Sequence, residues 1–240
     1  MTIPHTMTAL CLMLAGCQTE HIAHYPPMPA AQATEIFIKR NRSIRSVSAQ
    51  GLVTLERPGG DTLRLDAVFA IAHPGNARLR AWKFGQAVLD ITLTPAGLWV
   101  VAPRQDPTLF SDQTANFMRQ WLRLITGTFE DQSFISDDSG AQLVLKWSAD
   151  DQATMICEVD RKTLTARRYV LRDRQGQEHF TLALARYAEF NGVAWPGRIE
   201  AVSPAGRIVI DLHDVEINGQ LPSAAFHPPA RAVKIPETQP

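Results

Sequence analysis

Apolar and polar residues alternate along most of the chain with the two-residue period of a β-strand. Stretches rich in Gly, Pro, Asn or Asp separate the alternating segments, as turns do between strands. The pattern predicts eleven strands, at residues 50–56, 63–71, 77–84, 87–93, 98–102, 142–147, 154–160, 164–172, 179–187, 193–202 and 207–217. Because the loops between the first five are short, these strands are expected to form an antiparallel meander.

Two segments have helical spacing instead. Residues 31–46 place Ile36 and Phe37 opposite a row of basic side chains, and 112–127 begins with a capping Asp112 and carries Trp121 on its apolar stripe. A sheet of eleven strands twists and curls instead of staying flat. The prediction is therefore a mainly β (α+β) fold, a curled antiparallel half-barrel of about eleven strands with helices lidding the concave face. The helix that contains Trp121 is expected to plug that face.

The N-terminus carries a targeting signal. The apolar run 7–15 is too short to cross a bilayer and ends in Leu14-Ala15-Gly16-Cys17. This ending resembles the lipobox of bacterial lipoproteins, which implies that residues 1–16 are a signal peptide and that Cys17 is acylated. Two or three acyl chains anchor a protein to a membrane almost permanently. The alternative is a soluble secreted protein whose signal contains a cysteine. Residues 17–33 are Pro-rich and are predicted to be an extended tether.

Composition excludes some functions. The chain has 240 residues, a formal net charge of +0 and a pI near 7.1, whereas nucleic-acid binders usually carry a basic surplus. The hydrophobic fraction of 45% is ample for a core. Of the three cysteines, Cys11 lies in the signal and Cys17 is the acylation site, so Cys157 is expected to be a buried, unpaired thiol.

The sequence offers little support for an enzyme. It has no Gly-x-Ser-x-Gly, His-Glu-x-x-His or phosphate-binding loop. The histidines are scattered without the spacing of metal ligands, and the pairs Asp137-Asp138 and Asp150-Asp151 are typical of turns and do not fit a calcium loop. We therefore expect no catalytic residue, no metal and no cofactor. An enzyme built on the same fold remains a weaker third possibility.

Three segments resemble the LolA/LolB family of bacterial lipoprotein carriers and receptors, most closely the LolB-like outer-membrane lipoproteins. They are 77–93 running into 97–101, the helix that starts at Asp112, and 208–218 followed by Leu221-Pro222 and Phe226. The resemblance implies an open half-barrel with an apolar cavity for acyl chains, in a domain of residues 34–240. LolB-like receptors also carry an exposed apolar loop, whereas the candidate turn here, 57–61, is polar.

The resemblance implies a ligand and a location. The partners would be acyl chains of a lipid or lipoprotein, a membrane reached through the anchor, and a periplasmic carrier protein, with no nucleic acid. Gln18 is not the aspartate that retains lipoproteins in the inner membrane, which favours a periplasm-facing site on the outer membrane. The inward positions expected to line the cavity are Leu65, Phe69, Leu79, Leu89, Ile91, Trp121, Met155, Val159, Leu182 and Leu184.

Two alternatives stay open. The five tryptophans, Trp121 among them, are equally typical of plain core packing. If the interior is solidly packed, the chain is instead a non-transport scaffold lipoprotein that recruits an envelope assembly partner. Because side chains alternate between the two faces of a strand, a register error of one residue would turn every inward candidate outward.

Overall fold

A computed structural model describes residues 22–56, 59–60, 62–101, 135–138, 142–150, 153–204 and 206–235. Within these ranges the chain forms the helix α1 (Ala30–Arg42), a 3₁₀ turn (Ser223–Phe226) and thirteen strands. The strands are β1 Ser46–Glu56, β2 Thr62–Ala72, β3 Asn76–Lys83, β4 Gln86–Thr94, β5 Gly97–Val101, β6 Ile135–Asp138, β7 Gln142–Asp150, β8 Ala153–Asp160, β9 Thr165–Asp173, β10 Glu178–Phe190, β11 Val193–Ser203, β12 Gly206–Ile217 and β13 Val233–Ile235.

All eleven predicted strands are present, and the two additional strands are short. In β13, Val233 to Ile235 pair with β5 and bury Ile235. The predicted helix 112–127, with Trp121, and the lipidation site Cys17 lie outside the described residues.

Helix α1 covers part of the sheet. It buries Ala33 and Phe37, which are four residues apart and therefore share one side of the helix. Its last turn holds Lys39, Arg40 and Arg42, where positive charge is favourable to the helix dipole. The helix ends at Arg42, four residues before the predicted end, because the chain turns there to start β1. α1 lies against β6 and β7.

The strands form one open antiparallel sheet. Its order is β13-β5-β4-β3-β2-β1-β12-β11-β10-β9-β8-β7-β6, so β1 pairs with β2 on one side and with β12 on the other. The inner-face side chains of β1 to β5 and of β7 to β12 belong to one hydrophobic core together with Ala33 and Phe37 of α1. The predicted curled half-barrel is therefore confirmed.

The alternation of strand direction gives the half-barrel two ends. We call the end that holds turns 73–75, 161–164 and 191–192 the lower rim, and the end that holds turns 84–85 and 174–177 the upper rim. β1 begins and β12 ends at the lower rim.

The outer face of β3 and β4 is covered by the C-terminal strap, defined here as residues 219–235. Arg78 joins the two: its Nε and Nη2 atoms donate to the carboxylate of Asp90 at 2.9 and 2.7 Å, and its Nη1 donates to the Ala225 carbonyl at 2.8 Å. Arg231 Nη2 donates to the Ala87 carbonyl at 2.6 Å. Asp90 is consequently 3% exposed although it lies on the outer face.

Candidate functional site

The described cavity candidates lie on the inner face of the sheet. Their register shows this directly: Phe69 pairs with Leu79, and Leu79 pairs with Ile91. All of them are buried, namely Leu65, Phe69, Leu79, Leu89, Ile91, Met155, Val159, Leu182 and Leu184. The predicted inward orientation is therefore correct for these nine positions, whereas Trp121 falls outside the described residues.

The candidates form two groups. Five lie on the neighbouring strands β2, β3 and β4, and four lie on β8 and β10. Tyr169 and Leu171 of β9 bridge the second group, since they pair with Cys157 and Met155 on one side and with Leu182 and Phe180 on the other. None of the nine exceeds 7% exposure, so the inner face is closed in this conformation.

A cavity of about 40 Å³ lies at the lower rim between α1 and strands β9, β10 and β11. Of the nine predicted site residues that the structure describes, only Leu184 lines it. Its other walls are mainly aromatic and aliphatic: Phe37, Ile44, Leu164, Ala166, Tyr169, Tyr187, Val193, Ala194, Trp195 and Pro196. The volume has room for roughly three water-sized groups and is far below the roughly 300–1,000 Å³ of typical small-molecule sites.

The backbone is distorted beside this cavity. Arg186 has φ 54°, in the left-handed region, and the opposite residue is Gly197. A Cβ at Gly197 would come within 3.0 Å of the Arg186 carbonyl oxygen, so the close approach requires a glycine. The next residue, Tyr187, lines the cavity and donates its hydroxyl hydrogen to the Ala166 carbonyl at 2.6 Å. Nothing in the period-two pattern predicts this distortion.

Arg40 and Asn41 bring polar groups to the cavity. Arg40 Nη1 donates to the Thr163 carbonyl at 2.9 Å, and its guanidinium lies 5.6 Å from the centre of the Tyr25 ring. Asn41 Nδ2 donates to the Phe37 carbonyl at 2.9 Å. On the sheet side, the Trp195 indole Nε1 is buried without a hydrogen-bond partner among the described residues.

Cys157 is a buried thiol, as expected from the sequence. It is 1% exposed, and burial raises its pKa well above the usual range. Burial likewise raises the pKa of the Tyr169 hydroxyl, which pairs with Cys157 by a side-chain hydrogen bond. Both groups therefore stay protonated at neutral pH, and a thiolate nucleophile is not available here.

The upper rim presents an exposed aromatic residue. The sequence pattern extends the third predicted strand to Phe84, but β3 ends at Lys83 and Phe84 instead forms the β3–β4 turn with Gly85. Phe84 is 94% exposed and has φ 50°, which is unfavourable for a bulky side chain. The Lys83 ammonium lies 5.7 Å from its ring centre. An exposed aromatic side chain therefore lies at the 84–85 turn of the upper rim.

The N-terminal segment, defined as residues 22–29, is fastened to the lower rim. The Tyr25 backbone N–H donates to the Lys162 carbonyl at 2.7 Å, and Arg161 donates to the Met28 carbonyl. The Ala23 N–H reaches Glu189 at 3.4 Å. Residues 22–29 of the predicted tether are therefore held beside turn 161–164, whereas residues 30–33 of it belong to α1.

The described residues contain neither a membrane-spanning helix nor a metal-binding group of side chains. No helix there is both long and apolar enough to cross a membrane. No group of three or more His, Cys, Asp or Glu side chains in these ranges is arranged to hold a metal ion.

Comparison with known proteins defines the class of fold. No protein-family model and no curated protein matches the sequence. A DUF1329 family protein from Desulfovibrio piger is similar in structure, with a TM-score of 0.60, 12% identity, and coverage of 84% of this chain and 98% of that one. A LolA superfamily protein from Nitrosomonas europaea gives a TM-score of 0.56 at 12% identity, with coverage of 80% and 96%.

A third similar structure is a domain described as an outer membrane lipoprotein-sorting protein, from Vibrio parahaemolyticus. Its TM-score is 0.54 at 12% identity, and the alignment covers 82% of this chain and 97% of that one. The fold of this protein is therefore LolA/LolB-like, as the sequence resemblance implied. At 12% identity the likeness concerns the fold.

Proposed function

We propose that this protein is a lipid-anchored lipoprotein of the cell envelope that binds acyl chains of lipoproteins or lipids on the inner face of its half-barrel. The observation that carries the proposal is the extent of that face. Buried inner positions are apolar on every strand except β6, whose side chains are not described. The twelve strands other than β6, spaced about 4.8 Å apart, span roughly 55 Å. A helix is about 10 Å wide, so α1 alone covers only part of this face.

The geometry of the N-terminus supports anchoring at the lower rim. The fastened segment starts at Ile22, five residues after Cys17. Five extended residues reach about 18 Å, so an acylated Cys17 keeps the lower rim close to its membrane. With Gln18 following the cysteine, we place the protein on the outer membrane, facing the periplasm, where a periplasmic carrier delivers its ligand. The proposed activity is binding without chemistry.

Binding requires the closed inner face to open. The nine described candidate positions are nearly inaccessible, so an acyl chain has to displace whatever covers them. Each buried methylene contributes about 0.8 kcal/mol, which is the source of affinity. A membrane buries the same methylenes equally well, so the ligand can be released to it.

The test uses the full chain with Cys17→Ser, which removes the acylation site. Delipidated protein should take up a radiolabelled fatty acid, and Phe69→Gln should lower that uptake more than tenfold. Val68→Gln is the matched control, because Val68 is the neighbouring residue on the opposite face and is 41% exposed. No uptake by the parent protein, or equal uptake by both variants, would contradict the proposal.

A second candidate function is favoured by the burial of the inner face. The burial of the nine described inner-face candidates suits a scaffold lipoprotein that recruits an assembly partner through its surface. Cross-linking in membranes separates the two. A stable stoichiometric partner without bound lipid supports the scaffold, whereas exchangeable lipid without such a partner supports acyl-chain binding.

A further inference from the structure

The lower-rim cavity carries a more specific inference, which rests on the proposed function. We infer that the cavity receives the oxygen-bearing end of an acyl ligand, held between Arg40 and the indole N–H of Trp195. The ligand class is an acyl chain that ends in a carboxylate or an amide carbonyl.

The hydrogen-bonding capacity of the cavity points to an acceptor. Trp195 is 2% exposed and its Nε1 donor has no partner among the described residues, which is costly for a buried polar group. The hydroxyls of Tyr187 and Thr165 are already engaged, with the Ala166 carbonyl and with Thr163. Among the described wall residues, Asn41 supplies the amide oxygen, while its Nδ2 donates to the Phe37 carbonyl.

The charge of the cavity points the same way. Arg40 is the only charged residue among the described residues that line it, and no carboxylate in these ranges pairs with Arg40. Its described contacts are the Thr163 carbonyl and the Tyr25 ring, neither of which neutralises a positive charge. The described part of the wall thus offers the Arg40 cation and no carboxylate, which favours an anionic or strongly accepting group.

The surroundings select an acyl ligand over a small inorganic anion. The remaining wall is aromatic and aliphatic, and it continues through Leu184 and Tyr169 into the inner face, where Leu182 pairs with Tyr169. About 40 Å³ accommodates a carboxyl or amide group but no chain. The methylenes would therefore extend from Leu184 up the inner face, with the oxygens left at the membrane-proximal end.

The experiment measures binding of three ligands to the full chain with Cys17→Ser by isothermal titration calorimetry. Laurate represents a free fatty acid, N-lauroyl glycinamide represents the acylated end of a lipoprotein, and dodecyltrimethylammonium carries the same chain without an acceptor. Trp195→Phe removes the indole donor and keeps an aromatic ring. Arg40→Gln removes the charge.

We expect Trp195→Phe to weaken the binding of laurate and of the lauroyl amide about tenfold, and to leave the binding of dodecyltrimethylammonium within twofold of the parent's. Arg40→Gln should weaken laurate by a similar factor. If it also weakens the amide, the site serves acylated protein; if it affects laurate alone, the site serves free fatty acid. Trp99→Phe and Arg42→Gln are matched controls, because Trp99 lies on the outer face of β5 opposite Thr92 and neither residue lines the cavity, and both should bind like the parent.

Two failures are distinguishable. If the parent binds none of the three ligands, the proposed function fails and this inference with it. If the parent binds them but neither cavity variant changes the preference for acceptor-bearing ligands, the cavity holds only water and this inference alone is overturned. Thermal denaturation of each variant shows whether it is folded, and Arg40→Gln provides an independent readout if Trp195→Phe is not.

Discussion

The two rims of the half-barrel are stabilised in different ways. At the lower rim, hydrogen bonds join segments that are far apart in sequence: the Asn218 side chain accepts from the Arg45 N–H at 2.7 Å and donates to the Ser43 carbonyl at 3.1 Å, and residues 22–29 are fastened to turn 161–164. At the upper rim the described contacts are mainly ion pairs between neighbouring strands, such as Glu178 with Arg168 and Arg172.

This difference shows where the molecule can open. Exposed ion pairs typically contribute about 0–1 kcal/mol each and are screened by salt, whereas the lower-rim hydrogen bonds join segments that are distant in sequence and close the sheet between β1 and β12. The lower rim is therefore the fixed end and the upper rim the end that can splay. The four predictions below test this contrast, from the largest expected effect to the smallest.

The largest effect is expected from Arg78→Met. The substitution leaves the buried Asp90 carboxylate without its bidentate partner and releases Ala225 of the C-terminal strap, so the free energy of unfolding should fall by about 3–5 kcal/mol. Urea denaturation measures the loss. Arg80→Met is the control, because Arg80 approaches Asp90 only at 3.6 Å and its side chain is 47% exposed; a similar loss there would contradict the assignment.

An amide truncation at each rim compares the two ends directly. Asn218→Ala removes the bonds that join α1, β1 and β12, and should cost about 1–3 kcal/mol. Gln177→Ala in the upper-rim turn 174–177 should change stability by less than about 0.5 kcal/mol. Thermal denaturation of both variants is the measurement, and equal losses would remove the distinction between the rims.

Phe84→Asn should change stability little and surface behaviour strongly. Asparagine tolerates the left-handed conformation better than phenylalanine, so the free energy of unfolding should rise by up to about 1 kcal/mol. Loss of the exposed ring should lower binding of the Cys17→Ser chain to phospholipid vesicles several-fold in a flotation assay. Phe84→Leu keeps an apolar tip and should retain that binding. Unchanged flotation of Phe84→Asn would show that this hairpin is not the contact.

The smallest effect concerns acid. Burial acts to raise the pKa of Asp160, but hydrogen bonds from the Thr163 and Lys162 N–H groups and the nearby Arg167 outweigh it, so the pKa is lowered. A lowered pKa in the folded state means that ionised Asp160 stabilises turn 161–164 above its usual pKa of about 3.9, and that this contribution is lost as the pH falls through the lowered value.

Hydrogen exchange should therefore show turn 161–164 and residues 22–29 gaining exchange below about pH 4 before the core strands do. Asp160→Asn should produce the same local loosening at neutral pH, because it removes the charge from the acceptor. Protection that is identical in the variant and the parent would show that Asp160 does not hold this corner.

The sequence predicted the long strands well and the site poorly. The eleven longer strands can be predicted from the two-residue period because one face of each strand is buried and the other faces solvent. β6 and β13 have only four and three residues, too few to show a period. Phe84 continues an apolar alternation, and nothing in the sequence marks a phenylalanine that adopts the left-handed region. The pattern therefore ends the third strand at Phe84, one residue later than the structure does.

The lower-rim cavity escaped prediction for a related reason. Its distinctive members are Arg40, Tyr187 and Trp195, which come from the end of a helix and from two strands beside the distorted position 186. They meet only through tertiary packing, and no spacing along the chain connects them. The aliphatic candidates were found because alternation marks the inner face, but alternation does not show where that face leaves a gap.

The pairing of β1 with β12 also constrains the order of assembly. Val47 lies opposite Ile217, so the middle of the sheet joins the beginning of the chain to its end. Strand β1 cannot pair with its second neighbour, β12, until nearly the whole polypeptide has been made. Pairing between segments so far apart in sequence slows folding. The sheet therefore cannot be completed until the residues near Ile217 are available for pairing, in whichever compartment the chain folds.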